Sequence, residues 1–107
     1  MEIRFEKEYL SELFNEGKTN NKKYRFQPQV IKQYIKTVNT LRNSPDTEFL
    51  YRVKSLHYEK KTGDLKGIEA VWVNDQYRLE FNSFKEADGN KVITICSLSE
   101  LSKHYKK

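Results

Sequence analysis

The chain contains two histidines, His57 in "SLHYE" and His104 in "SKHYKK". An imidazole titrates near neutrality, so each can take or give a proton at physiological pH. One arginine, Arg78, lies inside the alternating run "QYRLEF". Residue sets for other chemistries are missing from the sequence. There is no GxxxxGK[ST] or GxGxxG loop for a nucleotide. There is no HExxH pair or Cys/His cluster for zinc, and no Gly-x-Ser-x-Gly elbow for an acyl-transferring serine. No cofactor and no metal are therefore expected. Two histidines with lysine and arginine suit one reaction well, the cleavage of RNA by its own 2′-hydroxyl. It needs a base at the 2′-OH, an acid at the departing 5′-oxygen and cations around the phosphorane. The acid–base groups supply about 10²–10⁴-fold, and electrostatic stabilisation of the developing charge at least as much. The plainer alternative makes His57 a surface or hydrogen-bonded structural residue and His104 a solvated chain end.

The bulk properties bound where such chemistry operates. The 107 residues suit a single domain, 1–107, with a small core that leans on its aromatic side chains. A net charge of +5 fits a phosphate-bearing or acidic partner, although it also serves solubility. The single cysteine, Cys96 in "VITICSL", reads as a small buried hydrophobe, with no intrachain disulfide to form. The start, "MEIRFEKEYL", has no basic stretch followed by an apolar one, and no apolar run approaches the ~20 residues of a membrane span. A soluble cytoplasmic protein with no membrane partner is expected.

Several elements must hold these side chains. "EIRFE" alternates as a short strand. Tyr9, Leu10, Leu13 and Phe14 form one helical stripe, and Gly17 is placed to end that helix in a left-handed conformation. "KTNNKKYR" is a polar, basic loop. Pro28 then opens a second helix with Val30, Ile31, Tyr34, Ile35, Val38 and Leu41 on one stripe, stopped at Asn43-Ser44-Pro45. Lys32, Lys36 and Arg42 decorate its outer side and read most simply as a solvated face. From residue 51 the hydrophobic period falls from about 3.6 to 2. "YRVKSLHYE" is an expected strand. "IEAVWVN" and "QYRLEFNSF" form a hairpin around Asn74-Asp75, and "KVITICSL" follows the turn "EADGN". The expected fold class is α+β: an N-terminal strand and a two-helix hairpin packed on one face of an antiparallel sheet.

A tight turn at Asn74-Asp75 sets Trp72 opposite Tyr77, Ala70 opposite Leu79 and Ile68 opposite Phe81, all on the helix-packed face. Glu69, Val71, Val73, Gln76, Arg78 and Glu80 then share the open face. An odd loop would shift this pairing. With Leu56 and Tyr58 in the core, His57 joins Arg78 on the open side.

The segment "LHYEKKTGDLKGIEAVWVNDQYRLEF" resembles the central part of the HigB-type toxins of the RelE/ParE superfamily, from bacterial type II toxin–antitoxin systems. Leu56-His57, Lys66-Gly67, Val73-Asn74 and Tyr77-Arg78 match in order, and His104-Tyr105 resembles the His/Tyr pair that ends many relatives. The preceding strand and helix pair match in order and length. The resemblance implies a RelE-like, microbial-RNase-like fold and ribosome-dependent, metal-independent cleavage of mRNA. It implies neutralisation by a cognate helix-turn-helix antitoxin of HigA type, with operator DNA bound only through that complex. By the same resemblance His57, Arg78, His104 and Tyr105 are catalytic, and Lys66 and Arg78 hold phosphate; Lys103, where some relatives carry an acidic residue, is expected as a further phosphate or RNA contact. Two other functions stay open: a ParE-like inhibitor of gyrase, which needs no acid–base histidines, and a non-catalytic basic interaction module.

Overall fold

The change of hydrophobic period becomes a change of layer. The computed structural model describes residues 1–61, 63 and 67–103. Its elements are β1 (Glu2–Phe5), α1 (Glu8–Glu16), α2 (Pro28–Asn43), a short α3 (Thr47–Leu50), β2 (Glu59–Lys60), β3 (Glu69–Trp72), β4 (Tyr77–Asp88) and β5 (Lys91–Lys103). The strands form one sheet in the order β1-β5-β4-β3-β2. β2 to β5 pair antiparallel, and β1 joins the edge parallel to β5. This is the α+β class that the period change predicts. α1 ends at Gly17, whose φ is 73° and whose N–H returns to Leu13 O at 3.1 Å. Both helical stripes are buried, and the Tyr34 hydroxyl ties α2 to α1 by donating to Leu10 O at 2.7 Å.

The expected strand over Tyr51–Glu59 mostly does not form. Asp46 caps α3 by accepting from Phe49 N at 3.0 Å, and the chain continues through turns into a 3₁₀ segment at Lys54–Leu56. Local capping satisfies the backbone before it can reach the sheet. Only Glu59–Lys60 pairs with β3. Leu56 and Tyr58 are nevertheless buried, as the alternation suggests.

The hairpin register is shifted by one residue from the tight-turn expectation. Val71 lies opposite Leu79, and Trp72 lies opposite Arg78. The loop has three residues, because Val73 N donates to Tyr77 O at 2.9 Å. Asn74 sets it: its Oδ1 accepts from Gln76 N at 2.8 Å and Tyr77 N at 2.7 Å. Period 2 then reverses every face on β3 but none on β4. Val71 enters the core with Leu79 and Phe81, whereas Ala70 and Trp72 turn to the open face. Glu69, expected on the open face, is instead 6% exposed on the helix side. It accepts from the Tyr58 hydroxyl and, at 2.7 Å, from both Ser83 N and Ser83 Oγ, which covers the edge of β4 where β3 has ended.

A second irregularity serves the core. Glu80 pairs with Glu100 but Phe81 pairs with Leu98, so Ser99 is an extra residue in β5. This bulge lets Leu98 and Leu101, an odd number apart, both face the helices. Beyond it, the Tyr9 hydroxyl accepts from Leu101 N at 3.1 Å and donates to Glu100, which also pairs with Lys7 at 2.7 Å. Burial pushes the Glu100 carboxyl up, but donation from Lys7 and Tyr9 outweighs it and leaves the pKa below the usual carboxylate value. A carboxyl depressed in the folded state adds stability above its unfolded pKa, and that stability is lost as pH falls through the folded value. Glu100→Gln should therefore lower the melting temperature at neutral pH and converge on the wild type in acid. A constant difference from about pH 7 down to pH 3 in thermal denaturation would contradict this.

Candidate active site

β3 lies between β4 and β2, so a side chain standing up from its open face has neighbours on both flanks. At the end of β3 that side chain is Trp72. Its cross-strand partner on one flank is Arg78, whose Cζ sits 4.0 Å from the indole centroid. On the other flank the chain leading into β2 brings His57 against the same indole, with ring centroids 3.8 Å apart and planes at 27°. His57 and Arg78 are thus brought together as anticipated, but by a tryptophan that the tight-turn pairing sends into the core.

Arg78 is less extended than a surface strand arginine. It is 8% exposed, and its Nη1 donates to Asn74 O at 2.8 Å and Tyr77 O at 3.2 Å. No carboxylate lies within 4 Å of it among the described residues. Burial lowers its pKa from the ordinary guanidinium value, and the charges of Glu59 and Asp75 work against that shift. A guanidinium remains cationic throughout the folded range. One corner is therefore fixed to backbone carbonyls and one face lies on indole. None of its nitrogens is both fully buried and without an acceptor. Both hydrogen bonds, to Asn74 O and Tyr77 O, come from Nη1.

His57 is exposed, and its backbone has φ 45° and ψ 47°. Among the described residues no other non-glycine has positive φ. The left-handed region costs an L-residue roughly 1 kcal/mol or more. The conformation closes the 3₁₀ segment, with His57 N donating to Lys54 O at 3.1 Å, and turns the imidazole onto Trp72.

The open face near Arg78 also carries Glu80, whose Oε2 accepts from Ser102 Oγ at 2.7 Å, and Ser102 pairs with Arg78 in register. Lys103 lies opposite Tyr77, on the alternate side of the ladder from Arg78. Lys66, His104 and Tyr105 lie outside the described residues. Among the described residues no group of three or more His, Cys, Asp or Glu is placed to hold a metal ion, and no helix is long and apolar enough to cross a membrane. Sequence reasoning missed Trp72 and Asn74. The signal for both was the Asn at the hairpin corner, whose side chain can hydrogen-bond the backbone two residues on and so hold a turn other than the tight one.

No protein-family model matches the sequence. No curated protein matches it either. Among solved structures, the fold is similar to that of a YoeB/ParE toxin from Agrobacterium tumefaciens, with a TM-score of 0.52 over 98% of this chain and 100% of that one. Identity between the two is 12%. At that distance the likeness is one of fold, and the chain adopts the fold of a YoeB/ParE toxin.

Proposed function

We propose that this chain is the toxin of a bacterial type II toxin–antitoxin pair, an endoribonuclease that cuts mRNA on the translating ribosome. The observation that carries the reading is the row His57–Trp72–Arg78: an accessible imidazole and a desolvated guanidinium share one indole on the open face. The fold of a YoeB/ParE toxin supports it. The scissile phosphate lies against the donors of Arg78 not used by Asn74 and Tyr77. Charge builds on the phosphorane oxygens as the 2′-oxygen attacks, and a guanidinium already held in place stabilises that charge without reorganising. His57 exchanges a proton with the 2′-hydroxyl or the leaving 5′-oxygen. His104 serves the opposite end, Tyr105 orients a base or the sugar, and Lys66 neutralises the scissile phosphate, while Lys103, on the alternate side of the ladder from Arg78, is left to the flanking RNA backbone. With charge relief from arginine and lysine, no metal is required. The site of action is the cytoplasm, and the neutralising partner is a helix-turn-helix antitoxin of HigA type, through which alone operator DNA is bound.

A second reading, which needs no acid–base histidine, has one specific observation in its favour, the fold that the chain shares with a YoeB/ParE toxin. It is inhibition of gyrase by binding. SOS induction with intact mRNA after expression would select it.

Arg78→Ala should reduce mRNA cleavage in a translation extract by at least about 100-fold, in a protein that still folds and binds antitoxin but melts lower by the loss of its indole and carbonyl contacts. Arg78→Lys should not restore activity, because an ammonium lacks the planar face that lies on Trp72. Loss of folded protein in both variants would make Arg78 a structural residue. A 2′-deoxy substitution at the cleaved nucleotide should block cutting, and EDTA should not. His57→Gly should relieve the left-handed strain and gain roughly 1 kcal/mol of stability while losing activity. A destabilised His57→Gly would mean that the imidazole is held for packing.

A further inference from the structure

Beside its apolar stripe, α2 carries a second, polar one. Gln33, Thr37 and Thr40 are spaced four and three apart, so they share one face of the helix. That face lines a cleft of about 220 Å³, whose other walls are apolar at Leu56, Trp72 and Val73. The cleft adjoins the candidate site, because Trp72 belongs to both and Leu56 precedes His57.

The polar groups of the cleft have a fixed polarity. Asn74 Oδ1 is committed to two backbone N–H groups, so the atom Asn74 turns to Gln33 is its donor, Nδ2. Gln33 answers with Oε1 at 2.8 Å, which leaves Nε2 as the group it can offer elsewhere. Nothing among the described residues accepts from Nε2, and none of their fully buried side-chain nitrogens lacks a partner, so this donor is open to solvent. The threonines are the opposite case. Thr37 Oγ1 donates to Gln33 O at 2.8 Å and Thr40 Oγ1 to Lys36 O at 3.0 Å. With their protons spent on the helix, both hydroxyls can only accept from the cleft. One stripe therefore presents a donor followed by acceptors, against apolar walls.

We propose that this cleft is a base subsite, which takes one unstacked nucleobase beside the cut phosphate, and that Gln33 selects guanine or uracil there. The inference rests on the RNA-cleaving reading of the neighbouring row. A nucleobase has apolar faces and a polar rim, and a single-stranded RNA can splay its bases into a protein. The order of donor and acceptor picks the base. Guanine O6 and uracil O4 accept where adenine N6 and cytosine N4 donate. The ring nitrogen next to that group carries a proton in guanine and uracil and none in adenine and cytosine. A donor from Gln33 beside an acceptor from a threonine matches the first pair and opposes the second. The hydrogen bonds also tie the subsite to the phosphate. Gln33 holds Asn74, and Asn74 O holds the Arg78 guanidinium, so one chain of contacts grips both parts of a nucleotide.

Two measurements on the full chain test this. In the first, GMP, UMP, AMP and CMP are titrated into isotope-labelled protein and followed by NMR. GMP and UMP should shift the Gln33 side-chain amide and the Trp72 indole, and should bind about tenfold more tightly than AMP and CMP. Gln33→Glu keeps an oxygen for Asn74 Nδ2 but replaces the donor with an acceptor, so the preference should vanish or reverse. In the second, mRNA cut in a translation extract is sequenced at its new ends. Guanine and uracil should be enriched at one nucleotide beside the cut, and Gln33→Glu should lose that enrichment. Ser55→Phe, at an exposed position on the rim, should lose it too, which guards against a misfolded helix variant. Equal binding of the four nucleotides, or no shift at Gln33 with any of them, overturns the proposal. So does a cut pattern that survives Gln33→Glu while antitoxin binding is lost, which would assign the cleft to the antitoxin. If GMP and UMP are selected through Gln33 but no translated mRNA is cut, the cleavage reading fails and the subsite stands. Cutting with no preference at either flanking nucleotide leaves the cleavage reading and removes the subsite.

Discussion

The candidate site depends on one side chain at a hairpin corner. Asn74 makes four close hydrogen bonds, at 2.7–2.8 Å, beside a longer one from its own N–H to Tyr77 O at 3.3 Å: Oδ1 accepts from Gln76 N and Tyr77 N, Nδ2 donates to Gln33 of α2, and its carbonyl accepts from Arg78. The first two fix a three-residue loop, and loop parity fixes the register of everything behind it. With the loop one residue shorter, Val71 would leave the core and Trp72 would enter it, and Arg78 would have no indole to lie on. The third bond locks the corner to the helical layer. The fourth places the guanidinium. Fold and site are thus determined by the same residue, and each of its bonds is worth about 1 kcal/mol in the ordinary range.

From that corner follows the electrostatic character of the site. A strand arginine free in water is a hydrated, mobile charge. Here the guanidinium is desolvated, which lowers its pKa, and two backbone carbonyls and an aromatic face compensate the lost water. A cation over an indole gains roughly 0.5–2 kcal/mol, more as it is desolvated. The same indole stacks with His57, so the three groups form one unit built from neighbouring segments of chain. The cost is visible in the backbone, where His57 occupies a conformation that glycine would take more readily. Strain of this kind, held by a surrounding structure that over-determines it, is common where position matters more than stability.

Most of the fold was legible in the sequence because hydrophobic period and chain-end signals are local. Gly17 and Pro28 bound their helices as read, and both apolar stripes are buried. Three features were not legible. The stretch Tyr51–Glu59 alternates like a strand, yet a capped turn at Asp46 diverts it, and alternation cannot report a competing local bond. The β3 register turned on whether the loop had two residues or three, a choice made by an asparagine side chain. The bulge at Ser99 depended on both Leu98 and Leu101 being wanted in the core, which only the partner strand reveals. The site was legible to the extent that β4 was. Arg78 and Glu80 lie on the face expected for them, Trp72 and Glu69 do not, and the difference between the two pairs is the loop.

The open face of the sheet is not a basic surface. Glu2, Glu86, Glu59 and Glu80 alternate along it with Arg4 and Arg78, and Arg4 is already paired with Glu2 and Glu86. These four acids and two bases leave the face net negative, and one buried guanidinium cannot attract a polyanion to it from beyond a Debye length. The excess charge is held on the loop and α2, in the other layer, and reaches the site only at Asn74 and Tyr77. The excess positive charge and the Arg78 guanidinium therefore lie in different layers of the molecule. The division has a physical reason: a site crowded with cations would hold the phosphate equally before and during reaction, and uniform binding lowers no barrier. A single oriented cation at the reacting phosphate, with the diffuse charge kept outside it, leaves the strongest electrostatic contact for the moment at which charge develops.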